Sequence, residues 1–470
     1  MILKKILRTF LLFLLCSTLL IGNAIAGFTI GEEREIGEKL LYMIRTEFSL
    51  LDDPDISQYV NRLGQQVLEN VGPHYFDYHF FVVPSDQFNA FAAPSGLIFF
   101  YSGLIETMKT ENEFLSVMAH EIGHVQSRHI SSRTDKNAKV SAISMALALA
   151  SLALGDPSLA MGMFTGFQAA GQAASLHFSR VDEEQSDRLS YDWMHAMHRD
   201  PQAMEEMLRT MRRITRYRSD KIPPYLLTHP NPEDRMEYVQ SLLDYQGSKV
   251  SKGYYKKIDN FDFLRMKHRV MVAASDPQKV KAYFSNILTS DKDQDERMMA
   301  TYGMAILQAK ELSFSKGLEE LTKVQGYFPG RSILDVDAGI MYLDSGDTRR
   351  ALELLKSASM ADPDDMYAVF YLAQAYSKTG DMETAEQLYR KVMRTMPDYP
   401  QVYFELGRIK SDQGLVWESN FYLAKYYLYE GKLDYAREYL KKVKHNPAST
   451  EAIRNEADEL LERLDKLEKM

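Results

Sequence analysis

Cysteine is almost absent from this chain, because Cys16 is the only one among 470 residues. A single cysteine cannot form an intramolecular disulfide or a cysteine-rich metal site, so any metal must be held by histidine and carboxylate side chains. An excess of positive charge is also missing, since the formal net charge at pH 7 is -9. Binding to nucleic acid requires a basic surface, so the composition argues against a nucleic-acid partner.

The remaining composition is that of a globular protein. Apolar residues make up 45% of the chain and charged residues 26%, and low-complexity runs are missing. A chain of 470 residues is too long for one compact core. We therefore expect at least two domains.

The N-terminal residues have the pattern of a secretory signal peptide over residues 1–26. Basic residues come first, followed by an apolar stretch over residues 10–21 and an A-x-A sequence at residues 24–26. Its removal would also remove Cys16 and leave a cysteine-free protein. Such a protein suits an oxidising compartment, and we expect export to the periplasm.

The first half of the chain combines helical and strand patterns. Residues 35–46 and 56–69 carry apolar side chains at helical spacing, whereas the aromatic and β-branched run 78–83 predicts a strand. Residues 89–96 have the composition of a turn, and the apolar run 97–101 follows. These patterns predict a mostly helical α+β domain with a small sheet.

The second half repeats itself with a period of 34 residues. Two sets of residues show this spacing: Gly346, Gly380 and Gly414, and Pro329, Pro363 and Pro397. A glycine at a tight turn and a proline at the end of each unit are typical of tetratricopeptide repeats, which form an all-α solenoid. Near the end, Gly431 recurs only 17 residues after Gly414, which predicts that two helices there share a longer element.

These observations give a mostly α protein with four segments. A signal peptide is expected over residues 1–26 and the mostly helical α+β domain over residues 27–255. A helical connector over residues 256–290 precedes a repeat domain over residues 291–470.

The strongest chemical motif is His120-Glu121-Ile-Gly-His124, within a predicted helix over residues 111–129. Histidines four residues apart lie on the same side of a helix, so His120 and His124 can bind one metal ion. The carboxylate of Glu121 lies beside them, where it can accept a proton from the attacking water. This arrangement predicts a zinc-dependent endopeptidase.

A third zinc ligand has to come from elsewhere in the chain. His129 follows His124 by five residues rather than the six of metzincins, so we interpret His129 as structural. Glu183 and Asp187 are again four residues apart on a predicted helix. Glu183 can complete the ligand set, while Asp187 can accept the outer N–H of a ligand histidine and fix its tautomer.

Three motifs together resemble the M48 metallopeptidase family. They are Asn-Ala-Phe-Ala-Ala-Pro at residues 89–94, the segment 120–129 with its HExxH sequence, and Ser-Arg-x-x-Glu-x-x-x-Asp at residues 179–187. The resemblance extends to the repeats and so covers nearly the whole chain. It implies one zinc ion bound by His120, His124 and Glu183, with Glu121 activating the water.

The same resemblance implies where substrate binds and how the enzyme is regulated. The strand that follows Pro94 would be the edge strand with which an extended substrate pairs, through Gly96, Leu97, Ile98 and Phe99. His229, in a Thr-His-Pro sequence, matches a histidine that takes the open position of zinc in similar proteases and keeps them latent. From the residues alone, a histidine before a proline can equally be a loop or capping residue.

Residues 140–174 contain two apolar stretches separated by Gly155-Asp-Pro-Ser, and each is near or below the length that spans a membrane. They predict a helical hairpin that packs over the active site or makes peripheral contact with lipid. A membrane-embedded hairpin is the alternative.

Three functions remain open from the sequence. By its resemblance, the chain is expected to degrade misfolded or stalled outer-membrane proteins in the periplasm, with the repeats docking it on their assembly machinery. A chaperone or scaffold whose protease site is normally shut is the second. A general peptide-degrading enzyme, with the repeats used for oligomerisation, is the third.

Overall fold

The computed structural model describes residues 29–47, 50–132, 178–217, 224–247, 250–251 and 253–468. The signal peptide expected over residues 1–26 and the hairpin expected over residues 140–174 lie outside the described residues. Among the described helices, none combines the length and the apolar character needed to cross a membrane.

The first half is mainly helical around a small sheet. Its elements are α1 (Ile30–Glu47), α2 (Pro54–Val71), β1 (His79–Val83), β2 (Ala90–Ala93), β3 (Leu97–Tyr101), α3 (Ser102–Thr107), α4 (Glu111–Gln126), α5 (His129–Ser132), α6 (Arg180–Ala196), α7 (Gln202–Tyr217), α8 (Pro224–Thr228) and α9 (Pro232–Gly247).

The three described strands form one sheet in the order β1-β3-β2, in which β3 is parallel to β1 and antiparallel to β2. Both faces of the sheet are buried. Phe80 and Phe100 contribute to the core on one face, whereas Phe81 and Phe99 contribute to the core on the other. Burial on both faces explains why these strands are continuous apolar runs rather than alternating patterns.

The prediction that residues 96–99 belong to an edge strand is wrong. Leu97, Ile98 and Phe99 lie in β3, which pairs with β1 on one side and with β2 on the other. Gly96 ends the short 3-10 turn that precedes β3. Because both sides of β3 already have partners, a substrate strand added to this sheet has to pair with β1 or β2.

The turn predicted over residues 89–96 is shorter than expected. Residues 90–93 form β2, and the turn itself is confined to Pro94–Gly96. Ser95 has a φ of 70°, in the left-handed region that is unusual for residues other than glycine. The alanines of β2 are small and pack into the sheet. A local composition typical of a turn does not predict this packing.

The second half consists of helices that pair in chain order. They are α10 (Phe261–Ala274), α11 (Pro277–Thr289), α12 (Gln294–Lys310), α13 (Phe314–Tyr327), α14 (Ser332–Asp344), α15 (Thr348–Ala361), α16 (Met366–Thr379), α17 (Met382–Thr395), α18 (Pro400–Asp412), α19 (Val416–Tyr429), α20 (Leu433–His445) and α21 (Glu451–Glu468). A mostly α chain, with a small sheet followed by tetratricopeptide repeats, is confirmed. The exact bounds of the four segments stay a prediction.

The longer shared element predicted near Gly431 is not formed. Helix α19 ends at Tyr429 and α20 begins at Leu433. Gly431 between them has a φ of 73°, which turns the chain, and a Cβ there would lie 2.5 Å from the carbonyl oxygen of Arg45. The 17-residue spacing therefore marks the turn between two successive helices rather than a fusion of them.

A buried ion cluster joins the peptidase half to the repeats. Arg265 of α10 bonds to Asp55 of α2 at 2.8 Å and to Asp337 of α14 at 3.1 Å. The hydroxyl groups of Tyr302 and Tyr367 also donate to Asp337. Since the buried charges are paired and hydrogen-bonded, the cluster fixes the first repeats against the peptidase half.

Candidate metal centre

Helix α4 carries His120, Glu121 and His124. It is capped by Thr110, whose side chain accepts a hydrogen bond from the backbone N–H of Glu113. The Nε2 atoms of His120 and His124 are 3.0 Å apart, as expected for imidazoles one turn apart that point at the same place. The histidine spacing in the sequence thus places two nitrogen donors side by side.

Helix α6 brings a carboxylate to these nitrogens. It packs closely on α4 because Gly123 has no side chain, and a Cβ there would lie 3.1 Å from the Cα of Ser186. The Oε1 atom of Glu183 is 3.4 Å from Nε2 of His124, and its Oε2 atom is 3.5 Å from Nε2 of His120. Glu183 therefore lies beside the two histidines, and its role as a ligand stays a prediction.

His229, immediately after α8, is the fourth member of the group. Its Nδ1 atom is 3.3 Å from Nε2 of His120 and 3.0 Å from Oε1 of Glu183. One donor atom from each of these residues and His124 lies within 4.8 Å of the others, and all four residues are buried. The structure therefore places His229 at the centre of the site.

Asp187 contacts the outer nitrogen of His120, and Arg235, which the sequence did not predict as a site residue, contacts Asp187. The carboxylate of Asp187 is 2.8 Å from Nδ1 of His120. Arg235 of α9 donates to both oxygens of Asp187, at 2.6 and 2.8 Å, and its Nη1 atom is 2.9 Å from Oε2 of Glu183. Arg235 is buried and so fixes both carboxylates in a dry environment.

The surrounding charges set the protonation of the group. Burial and a neighbouring arginine oppose protonation of His120, but Asp187 and Glu183 raise its pKa to about 9. Burial lowers the pKa of His124 well below its usual range. Burial would also raise the pKa of Glu183, but neighbouring positive charges hold it well below its usual range. Glu183 is thus held as an anion and His124 as a neutral imidazole with a free lone pair, whereas His120 has to release a proton when a metal binds.

Glu121 lies beside the group and is fully buried. Its Oε1 atom accepts a hydrogen bond from the hydroxyl of Tyr225 at 3.3 Å and is 3.5 Å from Nε2 of His229. Its Oε2 atom has no hydrogen-bond partner among the described residues. A buried carboxylate oxygen that is free, on a residue beside the imidazole of His229, is suited to accept a proton.

The donor set fits zinc. Imidazole nitrogens and a carboxylate oxygen are its usual ligands in catalytic sites, where three protein ligands leave one position open. Here His120, His124 and Glu183 supply three donors, and His229 approaches as a fourth. Such a group, with a free carboxylate beside it, is the site of a zinc-dependent peptidase.

Comparison with known proteins agrees with this class. The model of peptidase family M48 matches residues 54–243, and a tetratricopeptide repeat model matches residues 342–414. The β-barrel assembly-enhancing protease of Yersinia pestis is 26% identical over 402 residues, which cover 84% of this chain and 80% of that protein. Its namesake from Escherichia coli K12 is 27% identical over 376 residues, covering 78% of this chain and 74% of that protein.

A shorter relative supports the peptidase assignment alone. Metalloprotease LoiP of Escherichia coli K12 is 25% identical over 206 residues, which cover 42% of this chain and 75% of that protein. The chain is thus a zinc metalloprotease that is similar to peptidase family M48 over residues 54–243, and it carries tetratricopeptide repeats after that region.

Proposed function

We propose that this chain is an exported endopeptidase of the bacterial envelope that degrades misfolded or stalled outer-membrane proteins. The buried group of His120, His124 and Glu183, with Glu121 beside it, carries the proposal. The names of the relatives from Yersinia pestis and Escherichia coli favour a role in β-barrel assembly, and the N-terminal sequence favours export to the periplasm. The proposed signal peptide, peptidase domain, helical connector and repeat domain cover residues 1–26, 27–255, 256–290 and 291–470.

The residues of the site divide the work of peptide hydrolysis. When bound by His120, His124 and Glu183, zinc supplies a Lewis acid that polarises the scissile carbonyl and makes water more acidic. Glu121 takes the proton of the attacking water on its free Oε2 atom and returns it to the leaving amine. Asp187 accepts the Nδ1–H of His120 and so holds its Nε2 towards the metal.

His229 keeps the enzyme latent in this proposal. Its Nδ1 atom faces the metal-binding residues while its Nε2 atom faces Glu121, so the ring lies between these residues and the proposed base. Tyr225 stacks on the ring of His229 at a centroid distance of 4.3 Å, and Phe178 lies 5.2 Å away. Substrate and water can enter only after this ring has moved.

Replacing His229 with alanine is expected to raise basal hydrolysis of an unfolded protein such as casein by about tenfold or more. Only enzyme molecules with an open site are active, and the variant increases their fraction. Initial rates at equal zinc content measure this. His195→Ala is the control, since His195 lies on α6 but outside the metal-binding group. Unchanged or lower activity of H229A would show that His229 does not hold the enzyme closed.

The repeats supply the docking surface for substrates and for the assembly machinery in this proposal. The closed position of His229 also favours the second function, a chaperone or scaffold with a shut protease site. Expression of Glu121→Gln in a deletion strain separates the two, with outer-membrane permeability as the measurement. A variant that fails to restore the barrier supports proteolysis, whereas full restoration supports the scaffold. If co-purification with the repeat domain recovers no component of the assembly machinery, the result would instead favour the third function, a general peptide-degrading enzyme.

A further inference from the structure

We propose that His129 positions the zinc ligand His124 by accepting the hydrogen of its outer nitrogen. The proposal rests on the zinc-binding role of His124 proposed above and adds a residue that the sequence interpretation left as structural. The Nδ1 atoms of His124 and His129 are 2.9 Å apart, and both residues are buried. At this distance, one imidazole nitrogen has to donate an N–H hydrogen bond and the other has to accept it.

The direction of this hydrogen bond follows from the metal. His124 must present the lone pair of Nε2 to zinc, so its proton is on Nδ1, which donates to Nδ1 of His129. His129 then carries its own proton on Nε2, which is 3.1 Å from the amide oxygen of Gln185. The hydroxyl of Ser186 also lies 3.4 Å from Nδ1 of His129, a longer contact than the 2.9 Å to Nδ1 of His124. With His124 as the donor, His124, His129 and Gln185 have one consistent set of tautomers.

The backbone is bent to bring His129 to this position. On a continuous helix, residue 129 would lie about 140° around the axis from residue 124 and could not face its imidazole. Helix α4 instead ends at Gln126, and Arg128 adopts a φ of 53° before α5 begins at His129. A left-handed conformation is unfavourable for arginine, and such strain concentrates at functional sites.

A partly buried ion pair stabilises the strained turn. The Nε and Nη2 atoms of Arg128 are each 2.9 Å from Oε2 of Glu33 on α1. Glu33 is only 2% exposed, so water screens this pair weakly. Helix α1 thus stabilises the turn through Arg128, and the turn places His129 against His124.

The hydrogen bond lies in a dry environment. The ring of Phe178 covers His124 at a centroid distance of 3.9 Å and His129 at 6.2 Å. Exclusion of water strengthens a polar contact and restricts the orientation of both imidazoles. The two histidine ligands differ here, because the outer nitrogen of His120 faces a carboxylate while that of His124 faces another histidine.

The test compares zinc affinities of full-length variants by competition with a chromogenic chelator. His129→Leu removes the acceptor and is expected to weaken zinc binding about 10- to 100-fold. His129→Asn can place its amide oxygen where Nδ1 lies, so its zinc affinity should fall by only about two- to threefold. The visible spectrum of the cobalt(II)-substituted protein should change with the leucine variant and stay near that of the wild type with asparagine.

Two further variants keep the result interpretable. In His129→Gln the amide lies near the former Nε2 position and cannot reach His124. Its zinc affinity should therefore fall as much as that of the leucine variant. It provides the same test if the leucine variant folds poorly. His268→Leu removes a buried histidine of α10, outside the metal-binding group, and reports the effect of lost stability alone. The proposal would be overturned if the Leu and Gln variants bound zinc as tightly as the wild type. It would also be overturned if the Asn and Leu variants lost zinc affinity to the same extent. A wild-type chain without zinc would contradict the proposed site itself.

Discussion

Replacing Glu121 with glutamine is expected to lower peptide hydrolysis by about 10²- to 10⁴-fold, the range that a positioned general base contributes. Glutamine has nearly the same shape and can still accept the hydrogen bond from Tyr225. It cannot accept the proton of the attacking water. Zinc content and thermal stability should therefore stay close to those of the wild type, so that the loss appears in kcat.

The measurement is best made in the His229→Ala background, where the site is expected to be open and residual activity is easiest to quantify. Glu184→Gln is the matched control. Glu184 is the neighbour of Glu183, yet it points to solvent and pairs with Arg180 at 2.8 Å on the helix surface. Loss of activity in both variants, or in neither, would remove Glu121 from the role of base.

The part of the site that follows helical periodicity could be predicted from sequence. His120 and His124 lie one turn apart on α4, and Glu183 and Asp187 lie one turn apart on α6, so each pair faces one direction. Their chemistry then suggests that the two helices meet. The glycine that lets them meet, Gly123, is also visible within the motif.

The parts that depend on tertiary packing could not be predicted. Arg235 reaches Asp187 across 48 positions of the sequence, and nothing in its local surroundings distinguishes it from a surface arginine. The position of β3 depends on its parallel pairing with β1, which a strand pattern does not specify. The sequence leaves His129 as a structural residue because the spacing rule assumes a continuous helix, whereas the helix is broken at Arg128.

Replacing His120 with alanine is expected to remove zinc almost completely, from about one ion per chain to near zero. Only His124 and Glu183 then remain of the three proposed permanent ligands, and His229 is a displaceable fourth donor. The fold should survive this change. Asp187 loses its contact with His120 but keeps both hydrogen bonds from Arg235, so no buried carboxylate is left without a partner. Atomic emission spectrometry of the purified protein, with its circular dichroism spectrum, measures both effects.

His268→Ala provides the matched control for this metal measurement. His268 is buried like His120, but its Nδ1 atom bonds to the backbone carbonyl of Met299, away from the metal-binding group. Its replacement should therefore leave the zinc content unchanged even where it costs stability. If H120A retains zinc at the level of H268A, the ion is bound elsewhere, and the predicted roles of His124 and Glu183 fail with it. If zinc and activity are lost together while the helical signal persists, the ion belongs to the catalytic site rather than to the fold.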